Sequence, residues 1–257
     1  MIVREHANDF IMIEQDNHAH ISGELIANWE ESSFPGAKLR KSVEYAIFHH
    51  DCAWKPIDEQ PFWNDQKQAP YTFIDFPAPA KLVFYKNGID QVEQKDSYAG
   101  LLCSEHYKRF LANDISKAGQ AFVNQENERQ KRIITKLPSF DKQLFTIHYD
   151  LLQLSDNLSL YICLNEPGGK KENEHPFFRD GIPVSKKLNF LDHSKLTPKW
   201  KDPDTIILPG LPFEEPITIV LKQKLVEKGA IYSNGLIPSY VQAACQEIKL
   251  NLISDEK

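Results

Sequence analysis

Leu151–Leu152–Gln153–Leu154–Ser155–Asp156–Asn157–Leu158–Ser159–Leu160–Tyr161–Ile162–Cys163–Leu164 decides how the rest of the 257-residue chain is read. The stretch is apolar on nearly every side, and a helix of that composition is buried on most faces. It lies within a helix expected from Ser139 to about Asn165, re-capped after Pro138. One ionisable group, Asp156, sits in the middle. A carboxylate in such surroundings is costly unless it is paired or bound to a metal. A buried central helix needs other helices packed around it, and bundles of this kind build metal sites from inward-facing side chains on several helices.

Upstream, further helices are expected. Asp16 reads as an N-cap for a helix from about Asn17 to Trp29, with His18, Ile21 and Leu25 on its inner side. Ser32–Gly36 stops it. A second helix runs from Ala37 to Asp51, with Leu39, Val43, Ala46, Ile47 and His50 on one stripe. Asp96 caps a third, Ser97 to about Leu111, carrying Leu101, Leu102 and His106. A polar helix follows over about Asp114–Lys136, and its charge run Gln125–Gln130 reads as a solvated face. Residues 55–95 hold five prolines among many aromatics, which predicts an ordered loop with at most a short helix near Ala80–Asn87. Ahead of the helices, Ile2–Val3 and Phe10–Ile13 flank the turn residues Ala7–Asn8–Asp9 and predict a β-hairpin. After Pro167–Gly168–Gly169 and the solvated loop 170–174 come strand patterns at 206–208, 217–221 and 248–252, with a short helix over about Pro238–Cys245. The expected fold class is mainly α with added β (α+β). A helical body occupies residues 1–166, and a strand-rich part, 167–257, packs on it as one compact unit.

Composition narrows the function classes. Thirty basic and 36 acidic side chains leave a formal net charge of −6, which argues against extended nucleic-acid binding but not against a small anion held locally. No window approaches a membrane span, and the N-terminus lacks a signal-peptide pattern. Cys52, Cys103, Cys163 and Cys245 show no zinc-ribbon spacing and read as small buried hydrophobes in a reducing compartment. A cytoplasmic protein is expected.

The nine His residues cluster. His18, His50–Asp51, His106 and Asp156 each lie on the apolar stripe of a different expected helix. Taken singly, each has an ordinary structural explanation; together they read as metal ligands. Imidazoles with carboxylates suit Fe, Mn, Zn, Co or Ni. Neighbours on a helix point about 100° apart, so His50 and Asp51 can share one ion only at a helix end, or Asp51 bridges two ions. Pro56 places a helix end nearby.

The order His18 … His50–Asp51 … Asp156 resembles the HD-domain superfamily of metal-dependent phosphohydrolases. The chain is more closely similar to a bacterial family of uncharacterised HD-like proteins. The matching stretches are Met1–Arg4, His18–Trp29, His49–Trp54, Gly100–Tyr107 and Asp156–Tyr161, with a weaker one at Leu208–Phe213. The resemblance implies an HD-like helical bundle in which His18, His50, Asp51 and Asp156 hold one divalent metal. His106 falls where two-metal members add a ligand. His148 is a second candidate, although eight residues before Asp156 it is displaced by about 80° on an ideal helix. A mononuclear site is favoured, with room for a second ion. The implied activity is hydrolysis of a phosphomonoester or phosphodiester of a small molecule or nucleotide by metal-activated water. Asp58 and Asp51 are the candidate catalytic carboxylates. Arg4, Lys55, Lys108 (or Arg109) and Trp54 are the candidate substrate contacts. The alternatives are an iron-dependent small-molecule oxygenase on the same fold and a non-catalytic metal- or ligand-binding sensor.

Overall fold

Residues 1–188, 195–213 and 216–254 are described by the computed structural model. The chain opens with the expected hairpin, β1 (Ile2–Glu5) paired antiparallel to β2 (Asp9–Ile13). Next come α1 (Gln15–Ala27) and α2 (Arg40–His49). Asp16 does not cap α1. It lies inside the first turn, where a carboxylate favours the helix dipole. A 3-10 turn over Ala37–Leu39 replaces the first residues expected of α2.

The Pro-rich region departs furthest from expectation. α3 (Lys55–Asp58) and the two-residue strands β3 (Trp63–Asn64) and β4 (Ala69–Pro70) are followed by α4 (Ala78–Lys95), 18 residues long. Proline obstructs a helix only beyond its first turn, because the N–H it lacks has no partner there anyway. Pro79 lies in that first turn, and no proline follows before Pro138. The last proline of the region thus sits in the helix's first turn, where it is tolerated.

α5 (Ser97–Phe110) is capped by the Asp96 side chain as expected. α6 (Lys117–Lys136) starts later than expected, with Ser116 as cap. Its charge run is not a uniformly wet face. Glu126 and Arg129 are buried, and the Arg129 guanidinium pairs with Glu126, Glu93 and Asp90. A salt-bridge network thus joins α6 to α4. α7 (Lys142–Leu164), capped by Asp141, is the buried central helix. Leu151, Leu152, Leu154, Leu158, Tyr161, Ile162 and Cys163 are all enclosed.

Beyond α7 lie β5 (Ile182–Pro183), β6 (Lys195–Leu196), β7 (Lys199–Asp202), β8 (Thr205–Ile207) and the long β9 (Ile217–Glu227). α8 (Lys228–Asn234), which carried no sequence expectation, leads to α9 (Leu236–Gln242) and β10 (Cys245–Ile253). The main sheet runs β1-β2-β9-β10-β8-β7. All its pairings are antiparallel except β10 with β8. Side chains on a strand alternate between faces, and β2 is covered on both. Ile11 and Ile13 join the core formed with α1, α2 and α7, whereas Phe10 and Met12 pack with Val226, Ile231, Leu236 and Tyr240 beneath α8 and α9. The same main core takes in Ile217, Ile219, Leu221, Leu250 and Leu252 from the C-terminal strands.

The weaker C-terminal stretch abuts the end of α1: Glu30 donates to the Pro212 carbonyl, and Trp29 packs edge-on against Phe213. Cys103 and Cys163 are buried as expected, but Cys52 is only half-buried and Cys245 is exposed on β10; all four are free thiols. The two exceptions sit where the chain alternates faces or leaves a helix end. No helix among the described residues is long and apolar enough to cross a membrane.

Candidate metal centre

Three helices and the break that follows a fourth deliver the donors. His18 comes from the first turn of α1, and Asp156 from the middle of α7, which packs against α1. Small polar residues line that crossing: Ser22 Oγ lies 2.6 Å from Ser159 Oγ and donates to the Ser155 carbonyl. The close approach places His18 Nε2 3.1 Å from Asp156 Oδ1.

α2 ends at His49, and the chain turns into a 3-10 segment at Cys52. His50 and Asp51 occupy the break between them. This releases the pair from the 100° offset of an intact helix, so both side chains reach the same point. His50 Nε2 is 3.3 Å from His18 Nε2 and 3.5 Å from Asp156 Oδ1. Asp51 Oδ2 is 3.5 Å from His18 Nε2 and 4.0 Å from His50 Nε2. His106, from α5, points its Nε2 at the other Asp51 oxygen, 3.8 Å away. Within each of two overlapping groups, His18–His50–Asp51 and His50–His106–Asp156, the donor atoms all lie within 4.8 Å of one another.

The donor set fits a metal on three observations. First, the His50 Nδ1–H donates to the Ile47 carbonyl at 2.7 Å, so its Nε2 presents a lone pair. Second, a metal-binding His18 carries its proton on Nδ1 and donates to Ser159 Oγ at 2.6 Å, while Ser159 donates onward to the Asp156 carbonyl. The two Nε2 atoms then face each other as lone pairs. Ligands about 2.1 Å from a shared ion stand about 3.0–3.4 Å apart at octahedral to tetrahedral angles, which matches the 3.3 Å seen. Third, His106 Nε2 is buried without a hydrogen-bond partner among the described residues, and a buried polar atom left unpaired is costly. These buried His and Asp groups could hold a metal ion.

The cluster is electrostatically balanced even alone. Burial by itself would lower the His18 imidazolium, but the hydrogen bonds and charges of Asp156 and Asp51 raise it to about 9. His50 is raised for the same reason, against the same burial. Burial opposes ionisation of Asp51 and Asp156, yet the surrounding imidazoles hold both well below the usual carboxylate range. Perturbed groups gathered in a cleft are a mark of functional sites.

The cluster opens into a cavity of about 390 Å³ lined also by Gln15, Trp54, Phe73, Lys81, Tyr149 and Phe177. Of the proposed substrate contacts, Trp54 lies there. Arg4 does not: its guanidinium is buried against the Asn165 carbonyl and the Gln223 side chain, where it ties β1 to the end of α7 and to β9. Lys55 pairs with Asp16 outside the cavity. Lys108 is bound by Gln130 and Glu105, facing α6, and Arg109 stacks over the Tyr149 ring and pairs with Glu105.

Asp58 is likewise placed elsewhere. Its two oxygens are taken by the Met1 ammonium and the Gln15 amide, each at 2.6 Å, and it anchors the N-terminus and the start of α1. His148 is not a ligand either. Tyr98 OH occupies its Nδ1 and the Pro35 carbonyl its Nε2.

Sequence reasoning missed Ser159 and Ser22, which orient His18, although Ser159 lies one helical turn from Asp156 and that spacing was available. It missed Lys81, which falls in the short helix expected near Ala80–Asn87 but has no spacing that links it to the His and Asp residues. Nothing in the local sequence marks Phe177, which the loop after α7 brings to the cavity.

Three comparisons bear on what this chain is. The family model described as a protein of unknown function, DUF3891, matches residues 1–228. No curated protein and no solved structure matches.

Proposed function

The chain belongs to the DUF3891 family, whose description carries no activity, and on the geometry of the site we propose that it is a metal-dependent phosphohydrolase of the HD type. The observation that carries this reading is the convergence of five metal-capable side chains from four separate parts of the chain on one buried point, at the floor of a cavity large enough for a small organic phosphate. His18, His50, Asp51 and Asp156 would hold the ion, with His106 at its edge. A divalent ion bound there lowers the pKa of a coordinated water and polarises a phosphoryl oxygen. Fe, Mn, Zn, Co and Ni all suit three imidazoles with two carboxylates.

The chain's own groups have distinct tasks in this reading. Ser159 and the Ile47 carbonyl fix the tautomers of His18 and His50. Asp51 turns one oxygen to that pair and the other toward His106. In this reading the second oxygen orients an incoming water by accepting its hydrogen bond, with His106 beside it to take the proton, a task Asp58 is too far committed to share. Lys81, the one Lys or Arg among the lining residues, faces the anion. Apolar walls keep bulk water out and strengthen these interactions.

The test is metal analysis of protein purified without an affinity tag, repeated on His50→Ala and Asp156→Ala, with circular dichroism to confirm folding. About one ion per chain in wild type and little in either folded variant is expected. Stoichiometric metal in both variants would refute the site. Release of phosphate from a panel of phosphomonoesters and phosphodiesters then checks the reaction. Oxygen consumption by the Fe²⁺-loaded protein without phosphate release would favour an oxygenase on the same ligands. Tight binding of an organic ligand with neither activity would favour a sensor.

A further inference from the structure

The cavity that holds the donor cluster has a second character that the metal ligands do not use. Trp54, Phe73, Tyr85, Phe110, Tyr149 and Phe177 are six of its fifteen lining residues, so aromatic rings supply much of its wall. Two of these rings stand at the opening and are poorly covered by the protein itself: Phe110 is 57% exposed and Phe177 55%. They come from distant parts of the chain, α5 and the loop after α7. Exposed large apolar groups gathered at the mouth of a cavity mark a place where a ligand covers them. Their positions are held. Phe110 packs edge-on against the His106 ring at 4.6 Å, and Phe177 packs against His175 at 4.5 Å, whose amide is bound by the Asn165 side chain.

The charge inventory points the same way. Lys81 is the one Lys or Arg on the wall. Its ammonium donates to the carbonyls of Phe73 and Ile74 at 3.2 and 3.4 Å, which leaves a third N–H. No carboxylate among the described residues is paired with it; the nearby Asp75 is taken by Lys67 and Thr72. One ammonium beside one metal centre can neutralise a single phosphate. A chain of two or three phosphates calls for more cations than this wall provides.

We propose that the substrate is a phosphomonoester of a flat aromatic or apolar alcohol, with Lys81 holding a phosphate oxygen and Phe110 and Phe177 gripping the organic body. This assignment rests on the phosphohydrolase reading above. In the reaction, water attacks phosphorus and the ester P–O bond breaks. The proton lost by the water ends on the departing oxygen, and the products are the free alcohol and inorganic phosphate.

Phosphonates, whose P–C bond does not hydrolyse, separate binding from turnover. Mn²⁺-loaded protein titrated calorimetrically should bind benzylphosphonate at least about tenfold more tightly than methylphosphonate, because the ring buries apolar surface. In Phe110→Ala/Phe177→Ala that ratio should fall toward one. Both side chains are exposed, so this variant should keep the fold. Lys81→Met should weaken both phosphonates alike. If methylphosphonate binds and the benzyl group adds nothing, or if the ratio survives in the double variant, the aromatic assignment fails while the phosphohydrolase reading stands. If Lys81→Met binds both as well as wild type, the lysine is wrongly placed. If neither phosphonate binds, both readings fall together.

Discussion

Ser159 decides which nitrogen of His18 faces the cavity. It accepts from Nδ1 and so presents Nε2 as a donor. Loss of such an outer partner typically costs 10–100-fold in metal affinity. Ser159→Ala should therefore fold normally and bind metal about 10–100-fold more weakly in a competition titration with a chelator; unchanged affinity would mean that His18 is oriented by packing alone. Asp58 supports a second residue-level prediction. Burial pushes its carboxyl from the usual 3.8 up to about 6, against the pull of the Met1 ammonium and the Gln15 amide. The native state thus binds the proton more tightly than the unfolded chain does. The associated stability is complete below about pH 3.8 and is lost as pH rises through about 6. Between pH 4 and 7, wild type should lose about 2–3 kcal/mol relative to Asp58→Asn in paired urea melts. Parallel stability curves would remove Asp58 from that role, and metal content should be equal in both proteins. The five candidate ligands stand out in the sequence because a His or Asp on an apolar stripe is conspicuous without any knowledge of its partners. Arg4 and Lys108 were misread because a cation's role depends on its partners. Those of Arg4 include Gln223, 219 positions along the chain, and no local pattern reveals such a pair.

At the scale of elements, α4 is the largest departure from expectation, and it bears on the site. Gly88 of α4 packs against the turn that follows the His50–Asp51 pair. A Cβ added at Gly88 would fall 2.9 Å from Ala53 Cα and 3.0 Å from its nitrogen. Backbone at that distance cannot swing aside as a side chain can. Gly88→Ala should destabilise the protein by about 1–3 kcal/mol through overpacking and reduce metal occupancy by shifting Asp51. Thermal melts and metal analysis of the same preparation would check this, and a melting temperature equal to wild type would refute the contact. α1, α2, α5, α6, α7 and the main strands were legible because each gives a helical or alternating pattern long enough to identify, whereas α3, four residues long, does not. α8 was not, because seven residues with one buried side chain, Ile231, give no periodicity. The burial of Glu126 and Arg129 was hidden for a different reason. Their sequence neighbours are ordinary surface residues, and the partners beyond their own i,i+3 pair, Asp90 and Glu93, lie on the part of α4 expected to be loop.

At the scale of the whole molecule, the sheet binds the two ends of the chain. β2 pairs with β9 from Asp9↔Glu227 to Met12↔Lys224, and one apolar cluster takes side chains from β1, α1, α7, β9 and β10. A chain stopped after Asn165 would leave β2 as an open edge and uncover Phe10 and Met12. Such a fragment should show helix by circular dichroism but no cooperative thermal transition, whereas the intact chain should melt in a single step. A fragment that melts sharply on its own would show that the helices need no sheet. The pairing also has a consequence in time. A ribosome adding about 5–20 residues per second releases the hairpin, then all seven helices up to α7, and only after a further 3–13 s or so the whole of β9, the strand that β2 requires. Throughout that interval β2 is paired with β1 alone and its other edge stays open, beside helices already able to associate. The vulnerable period for this protein is thus its own synthesis, and any change that slows translation between α7 and β9 should lower the yield of folded protein without altering the stability of what does fold.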